Sequence, residues 1–488
     1  MTERVVSPAH EDLFVKGVAE AVGGPLGEHS VRETPARGGR FWTAARIVLA
    51  LTCLTLALHW VQKSPCRDGA WVDLKQYTHF CYTDVLALYY QEGLANGKVP
   101  YVPENPPDDQ QVEYPVLTGM FMGLIGLPVH AAGVENPQLN QGQAFYDLNA
   151  LALSAFAVAT VAMILSMRRR RPWDAALFAL SPALLVTATV NWDFLAIVLA
   201  VAGLFYWSRD RPLLAGVLFG LGTSAKLWPL FLLGPIIMLS VRKRDYERMT
   251  AALVATVGTW LVVNVPIMLI SFWDWSKFWR LSSERAIDWG TFWYVGRYFD
   301  SDVFHGLFPQ FWGNTSLITN LANVLFVLGC VGIGALTIMA PRSPRLGQLA
   351  FLVVAIFLVT SKVWSQQFNL WLLPLLVLAR PRWGAFLAWQ FAELAYFFAF
   401  YWELMGASGH NVMPEGTFIF ASILRLATVI GLIALVVRDV LRPELDVVRT
   451  TYRGDPDWPV LQSSNITASV RSSRWMPKPA TDVVRAPS

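Results

Sequence analysis

Charge is scarce in this chain: only 15% of its 488 residues are Asp, Glu, Lys or Arg, while 54% are hydrophobic. A soluble protein of this length would carry roughly 25% charge over two or three domains, so a soluble enzyme is excluded. Histidine and cysteine number seven and four, and no Cys/His spacing has the form of a zinc site. Basic tracts interleaved with aromatics are missing, which removes nucleic acid as a partner. The first 40 residues lack an apolar core, so no cleavable signal peptide is visible. No fixed-period repeat runs through the chain.

What the sequence does have is apolar runs, many of about 18 to 24 residues, enough for a helix to cross a hydrocarbon core of roughly 30 Å. This predicts an all-α polytopic membrane protein. Residues 1–40 read as a disordered cytoplasmic tail and 441–488 as a second one, bracketing a membrane domain at 41–440. Spans are expected near 42–61, 144–167, 173–190, 194–207, 212–228, 229–241 and 249–271, then near 315–340, 347–361, 368–379, 383–402 and 418–438, about twelve in all. The block Arg168, Arg169, Arg170 and Arg171 belongs inside by the positive-inside rule. Parity then leaves 116–129 as a helix that does not cross, since about fourteen residues are too few; it reads as a juxtamembrane helix. Two large extracytoplasmic loops follow, at 62–143 and 272–314, with both termini cytoplasmic.

The first loop holds Cys66 and Cys81. Oxidation is possible outside the cell, so a disulfide is expected there, stabilising by roughly 3 kcal/mol in the chain-entropy model. The same loop offers Asp73, Asp84, Glu92, Tyr101, Glu113 and Tyr114, and the second offers Arg285, Arg297, His305 and several tryptophans. Lys226 and Lys362 lie at outer span ends, against the positive-inside trend. Cations kept there point to an anionic ligand at the outer surface, a lipid phosphate above all. The tryptophans suit sugar rings and a membrane-interface belt equally.

The stretch "YTDVLALYYQEGLANGKVPY" with "VEYPVL" resembles the first external loop of GT-C membrane glycosyltransferases, most closely the family-87 polyprenyl-phosphate-mannose-dependent mannosyltransferases of actinobacteria. The resemblance continues in "GVLFGLGTSAKLWPLFLLGPII", "GNTSL" and "SKVWSQQFNLWLLPLLVL", and so covers most of 42–440. "NWD" at 191–193 stands where such proteins often carry a Gly-Gln pair. The resemblance implies a GT-C fold and an inverting transfer of a sugar, mannose first, from a polyprenyl phosphate to an extracytoplasmic acceptor hydroxyl on a glycolipid or glycan. Asp84 would be the general base, within about 3 Å of that hydroxyl. Lys226, Arg297, Lys362 and His305 would hold the donor phosphate; Tyr89, Tyr101, Glu113, Tyr114 and Gln366 would contact substrate. Phosphate is a good leaving group, so neither a metal nor a cofactor is expected.

Plainer readings stand beside these. Asp84 can cap the helix that follows it, and Asp73 competes as the base. Lys226 and Lys362 can be snorkelling end residues. His305 and His410 can be ordinary loop histidines, and Asn314 a helix cap. Glu393 and Arg425 sit at matching depths in neighbouring spans, where pairing is expected. The alternative function is a flippase or transporter of lipid-linked sugars; such a protein would concentrate polar groups near the bilayer midplane. Convergence of Asp84, Lys226 and Lys362 on one outward cavity is what separates the two.

Overall fold

The structure, a computed structural model, describes residues 5–23, 41–103, 111–452 and 454–459. Among the described residues the chain is helical, without a strand. Helices of seven residues or more are numbered in order. They are α1 (Leu13–Gly23), α2 (Ala44–Lys63), α3 (Asp84–Gln91), α4 (Val116–Glu135), α5 (Gln141–Met167), α6 (Asp193–Ser208), α7 (Pro212–Ala225) and α8 (Leu233–Lys243). After these come α9 (Tyr246–Ile270), α10 (Phe272–Glu284), α11 (Phe292–Tyr298), α12 (Thr315–Met339), α13 (Leu346–Thr360), α14 (Asn369–Ala379), α15 (Trp383–Ala407) and α16 (Glu415–Leu441).

Six of these, α2, α4, α5, α9, α12 and α16, are long and apolar enough to cross a membrane. The expected count of about twelve spans is therefore not confirmed by length and composition among the described residues. Four apolar helices are short: α6, α7, α13 and α14 have 16, 14, 15 and 11 residues. At 1.5 Å per residue they run about 16 to 24 Å, against roughly 30 Å of hydrocarbon. Every residue of α14 is buried, so it is a core element with other helices on all sides. The run 173–190 is not one helix but three pieces, Pro172–Ala175, Ala176–Ala179 and Pro182–Thr187. Pro172 and Pro182 each open a new piece, because proline suits a first turn and cannot continue a preceding one. Ser181 caps the last piece, its hydroxyl accepting from the Leu184 N–H at 3.2 Å.

The helix expected at 116–129 continues to Glu135 and has twenty residues. Shortness is thus no reason to keep it out of the membrane. Its surroundings matter more. Tyr101 Oη donates to Tyr114 O at 2.8 Å just before its start, and Thr118 Oγ1 donates to Ala225 O at 2.7 Å. Farther along, Gly97 packs on His130, whose Nδ1 faces Ala95 O at 2.9 Å. Just beyond its end, Asn140 donates to Asp68 O at 2.8 Å. Loop-one residues therefore accompany α4 from one end to the other.

At the arginine end of the bundle the expected tails are partly ordered. Residues 8–11 and 13–23 are helical, and Asp12 accepts from the Trp383 N–H at 2.8 Å. Residues 443–452 form two short helical turns. Arg168 pairs with Asp457, and Arg345 pairs with both Asp446 (2.7 Å) and Asp457 (3.2 Å). The Arg168 and Arg171 side chains are buried rather than solvated; buried ion pairs of this kind specify position more than they add stability. The rest of both expected tails, 24–40 and 460–488, lies outside the described residues. Glu393 and Arg425 pair at 3.1 Å with both side chains buried, as their matched depths require.

Candidate active site

The four short helices all turn one terminus towards the same space. Asn191 precedes α6, Lys226 follows α7, Lys362 follows α13, and Gln367 precedes α14. These four residues line a cavity of about 760 Å³, together with Tyr82, Asp84, Glu113, Tyr114, Glu284 and Arg285. Phe278, Leu281, Phe326 and Phe357 give it an apolar side. Asp84, Lys226 and Lys362 thus share one cavity.

Asp84 is the first residue of α3, but it does not cap that helix. Thr83 does, its hydroxyl accepting from the Val85 N–H at 3.2 Å, so the carboxylate is free for the cavity. Its Oδ2 accepts from Asn191 Nδ2 at 2.7 Å, with Gln367 Nε2 at 3.5 Å. The backbone is fixed as well. Asp84 N donates to Val190 O at 2.8 Å and Thr83 Oγ1 to Thr189 O at 2.8 Å. Upstream, Cys66 and Cys81 form a disulfide, and Lys63 Nζ donates to Tyr82 O at 3.0 Å. Burial in the cavity wall raises the Asp84 carboxyl above the ordinary carboxylate range, while hydrogen bonds from Asn191 and Tyr82 and the Lys226 charge pull it back.

The turn carrying Asn191 is held from three sides. His59 Nε2 accepts from the Thr189 N–H at 3.0 Å, Tyr146 Oη and Thr189 Oγ1 lie 2.8 Å apart, and Trp192 Nε1 donates to Asn149 at 2.7 Å. These contacts come from α2 and α5.

The cations differ in kind. Lys226 is paired with Asp193 at 2.9 Å and donates to Asn191 Oδ1 at 3.0 Å. Its charge is already answered by a buried carboxylate, which argues against it as the phosphate ligand. Lys362 bonds only neutral groups, Ser283 O at 3.0 Å and Thr319 Oγ1 at 2.7 Å. Burial and the neighbouring Arg285 lower its pKa. Arg285 is exposed and forms no ion pair with a described residue.

Other expected site residues lie elsewhere. Arg297 sits over the Tyr294 ring and His305 is exposed; neither reaches the cavity. Tyr89 stacks on Phe145 and bonds Gln141 at 3.0 Å, a packing role. Tyr101 anchors the start of α4. Gln366 donates to Tyr401 at 3.1 Å, facing away from the cavity, and its neighbour Gln367 takes the lining position. Asp73 is exposed in a left-handed turn and, like His410, is remote from the cavity. Asn314 caps α12, accepting from the Leu317 N–H at 3.0 Å. Glu113 and Tyr114 do line the cavity; Glu92, pushed up to about 8 by burial, accepts from the Glu113 N–H at 3.1 Å and fixes that stretch. Not expected at the site were Asn191, Gln367 and Tyr82, and Arg285 was expected only as one of the loop-two cations. Asn191 had a signal in "NWD", a polar triplet at a span end.

The sequence profile of glycosyltransferase family 87 matches residues 137–365. This is the family that the loop and span-end motifs resemble, and it indicates a membrane glycosyltransferase. The matched segment includes Asn191, Lys226, Arg285 and Lys362 and begins after Asp84. Among curated proteins, none matches the chain.

Proposed function

We propose, from the premise of a family-87 membrane glycosyltransferase, that this chain transfers a sugar from a polyprenyl-phosphate donor to an acceptor hydroxyl on the extracytoplasmic face. Mannose is the first candidate sugar. The observation that carries this reading is a single cavity with a hydrogen-bonded carboxylate, Asp84, and two cations, Lys362 and Arg285, that form no salt bridge with a described carboxylate, although the Asp288 charge lies near Arg285. The apolar side, from α10, α12 and α13, suits the first isoprene units of a lipid.

The acceptor O–H gives its proton to Asp84 as its oxygen bonds to the anomeric carbon. The bond from that carbon to the phosphate oxygen breaks, and its electron pair leaves on polyprenyl phosphate. Attack opposite the leaving group inverts the anomeric configuration. Lys362 and Arg285 meet the charge that develops on the phosphate, the term that usually dominates such sites.

The extracytoplasmic assignment rests on treating residues 62–143 as one external segment. In its favour, α4 keeps loop-one neighbours along its whole length. A single cysteine at position 137, introduced with Cys53 and Cys330 replaced, is expected to react with an impermeant maleimide on intact cells. Labelling only after permeabilisation would make α4 a span and end the reading of 62–143 as one external segment.

Function is tested by incubating the full-length protein in membranes with radiolabelled polyprenyl-phosphate mannose. Label should enter a covalent product of inverted anomeric configuration. Movement of label across the bilayer with no new glycosidic bond would instead support the flippase. Arg285→Gln is expected to raise the donor KM about tenfold, since hydrogen bonds to charged groups contribute about 1.5–3 kcal/mol; an unchanged KM would remove Arg285 from the anion site.

A further inference from the structure

Asn191 makes more contacts at this site than any plain cap or loop residue requires. A carboxamide has two N–H hydrogens and one carbonyl with two lone pairs. Here every one is used. Nδ2 donates to Asp84 Oδ2 at 2.7 Å and to Tyr114 Oη at 2.6 Å. Oδ1 accepts from Lys226 Nζ at 3.0 Å and from the Trp192 N–H at 2.7 Å. Reversing the amide would set its NH2 against the Lys226 ammonium and its carbonyl against the Asp84 carboxylate. Lys226 therefore dictates which way the amide points, and Asp193 keeps that ammonium in place. The turn beneath is pinned by His59, Thr83 and Tyr146, so the amide cannot drift.

We propose that Asn191 is a positioning residue for the transfer reaction, oriented by Lys226 so that its amide, donating to Oδ2, holds the Asp84 carboxylate in acceptor form for the acceptor hydroxyl. This rests on the reading of Asp84 as the base. An amide whose carbonyl accepts from an ammonium is polarised and donates more strongly. The Lys226 charge thus acts on Asp84 through Asn191, without a direct ion pair that would weaken the base. An aspartate at 191 would oppose Asp84 with a like charge, and an alanine would leave it without the donor at 2.7 Å.

The ionisable groups facing Asp84 are Lys226 and Lys63, the carboxylates Asp193 and Glu92, and the phenols Tyr82, Tyr114 and Tyr401. Asn191→Ala removes none of these groups, and only Tyr114 and Lys226 among them lose a bond to it, so a titration shift in that variant reports the amide and the network it holds.

The test uses the full-length protein in lipid vesicles. The carbonyl stretch of protonated Asp84, assigned by its loss in Asp84→Asn, is followed against pH by infrared difference spectroscopy, which needs no turnover. The midpoint is expected to rise by about one unit or more in Asn191→Ala, and further in Asn191→Asp. The acidic limb of kcat/KM with polyprenyl-phosphate mannose should move upward with it. A residue that merely stabilises the fold would lower the rate at every pH and leave the limb in place. An unmoved midpoint in both variants overturns the proposal. Full turnover by Asp84→Asn would overturn the reading of Asp84 as the base on its own, because that result does not involve Asn191.

Discussion

Replacing Asp84 by asparagine is expected to cut sugar transfer by about a hundredfold or more, the loss typical of a general base removed from an intact site. Polyprenyl-phosphate binding and membrane insertion should stay near wild type. The substitution is isosteric, and the side-chain carbonyl it introduces can still accept from Asn191. Thr83 continues to cap α3, and the Cys66–Cys81 bridge is untouched. Lys362 and Arg285, proposed to meet the donor, lie on other elements and are unchanged. Only the group that takes the proton is gone. The pH profile sharpens the expectation. A base works when deprotonated, so the wild-type rate falls as pH drops through the Asp84 pKa, and burial sets that limb above the range of an ordinary exposed aspartate. The residual rate of the variant should lack the limb. Asp73→Asn, a change at an exposed turn away from the cavity, should leave the rate alone. Substantial turnover by Asp84→Asn would move the base to Glu113 or Glu284, the other carboxylates lining the cavity.

The parts of this site that were legible in the sequence are those whose chemistry clashes with their position. Asp84 is an acid in an aromatic loop, and Lys226 and Lys362 are cations at span ends where the membrane bias disfavours them. Such residues advertise themselves because leaving them there is costly. Helix ends such as 193, 315 and 346 were legible too, since caps, prolines and charges interrupt apolar runs sharply. Partnership was not legible. Lys226 and Lys362 look alike in the chain, yet one is neutralised by Asp193 and the other faces only hydroxyl and carbonyl oxygens. Arg297 and Arg285 are both loop arginines, and only the folded chain separates the one that stacks on Tyr294 from the one at the cavity. Gln366 and Gln367 differ by about 120° around a 3-10 turn, enough to exchange the cavity for Tyr401. The reading of 173–190 as one span failed for a different reason. Hydropathy measures how greasy a run is, not whether its prolines let one helix continue.

Arg425→Met is expected to destabilise the protein by about 3–5 kcal/mol, the cost of leaving a buried partner charge unanswered. It should also abolish most transfer although Arg425 does not line the cavity. Arg425 lies in α16 with its Nε 3.1 Å from Glu393 Oε2, and its carbon sits 4.2 Å from the Trp364 ring centre and 4.1 Å from that of Tyr396. Its other nitrogens donate to Trp364 O at 3.0 Å and Ser365 O at 3.2 Å. Those carbonyls belong to the segment between α13 and α14, which carries Lys362 and, in its closing 3-10 turn Gln366–Phe368, Gln367 into the cavity. One guanidinium therefore answers the Glu393 charge and also fixes the segment that carries Lys362 and Gln367. The two roles separate by experiment. Adding Glu393→Gln to Arg425→Met removes the uncompensated charge, so the thermal denaturation midpoint in detergent should recover in part. Transfer should not recover, because the Trp364 and Ser365 carbonyls still lack their donor and the segment is free to shift. Arg425→Lys keeps the charge but has no planar fork to reach a carboxylate and two carbonyls at once, so it should hold stability better than activity. If the double variant regains transfer in proportion to stability, Arg425 serves the fold alone, and the segment it touches is held by something else.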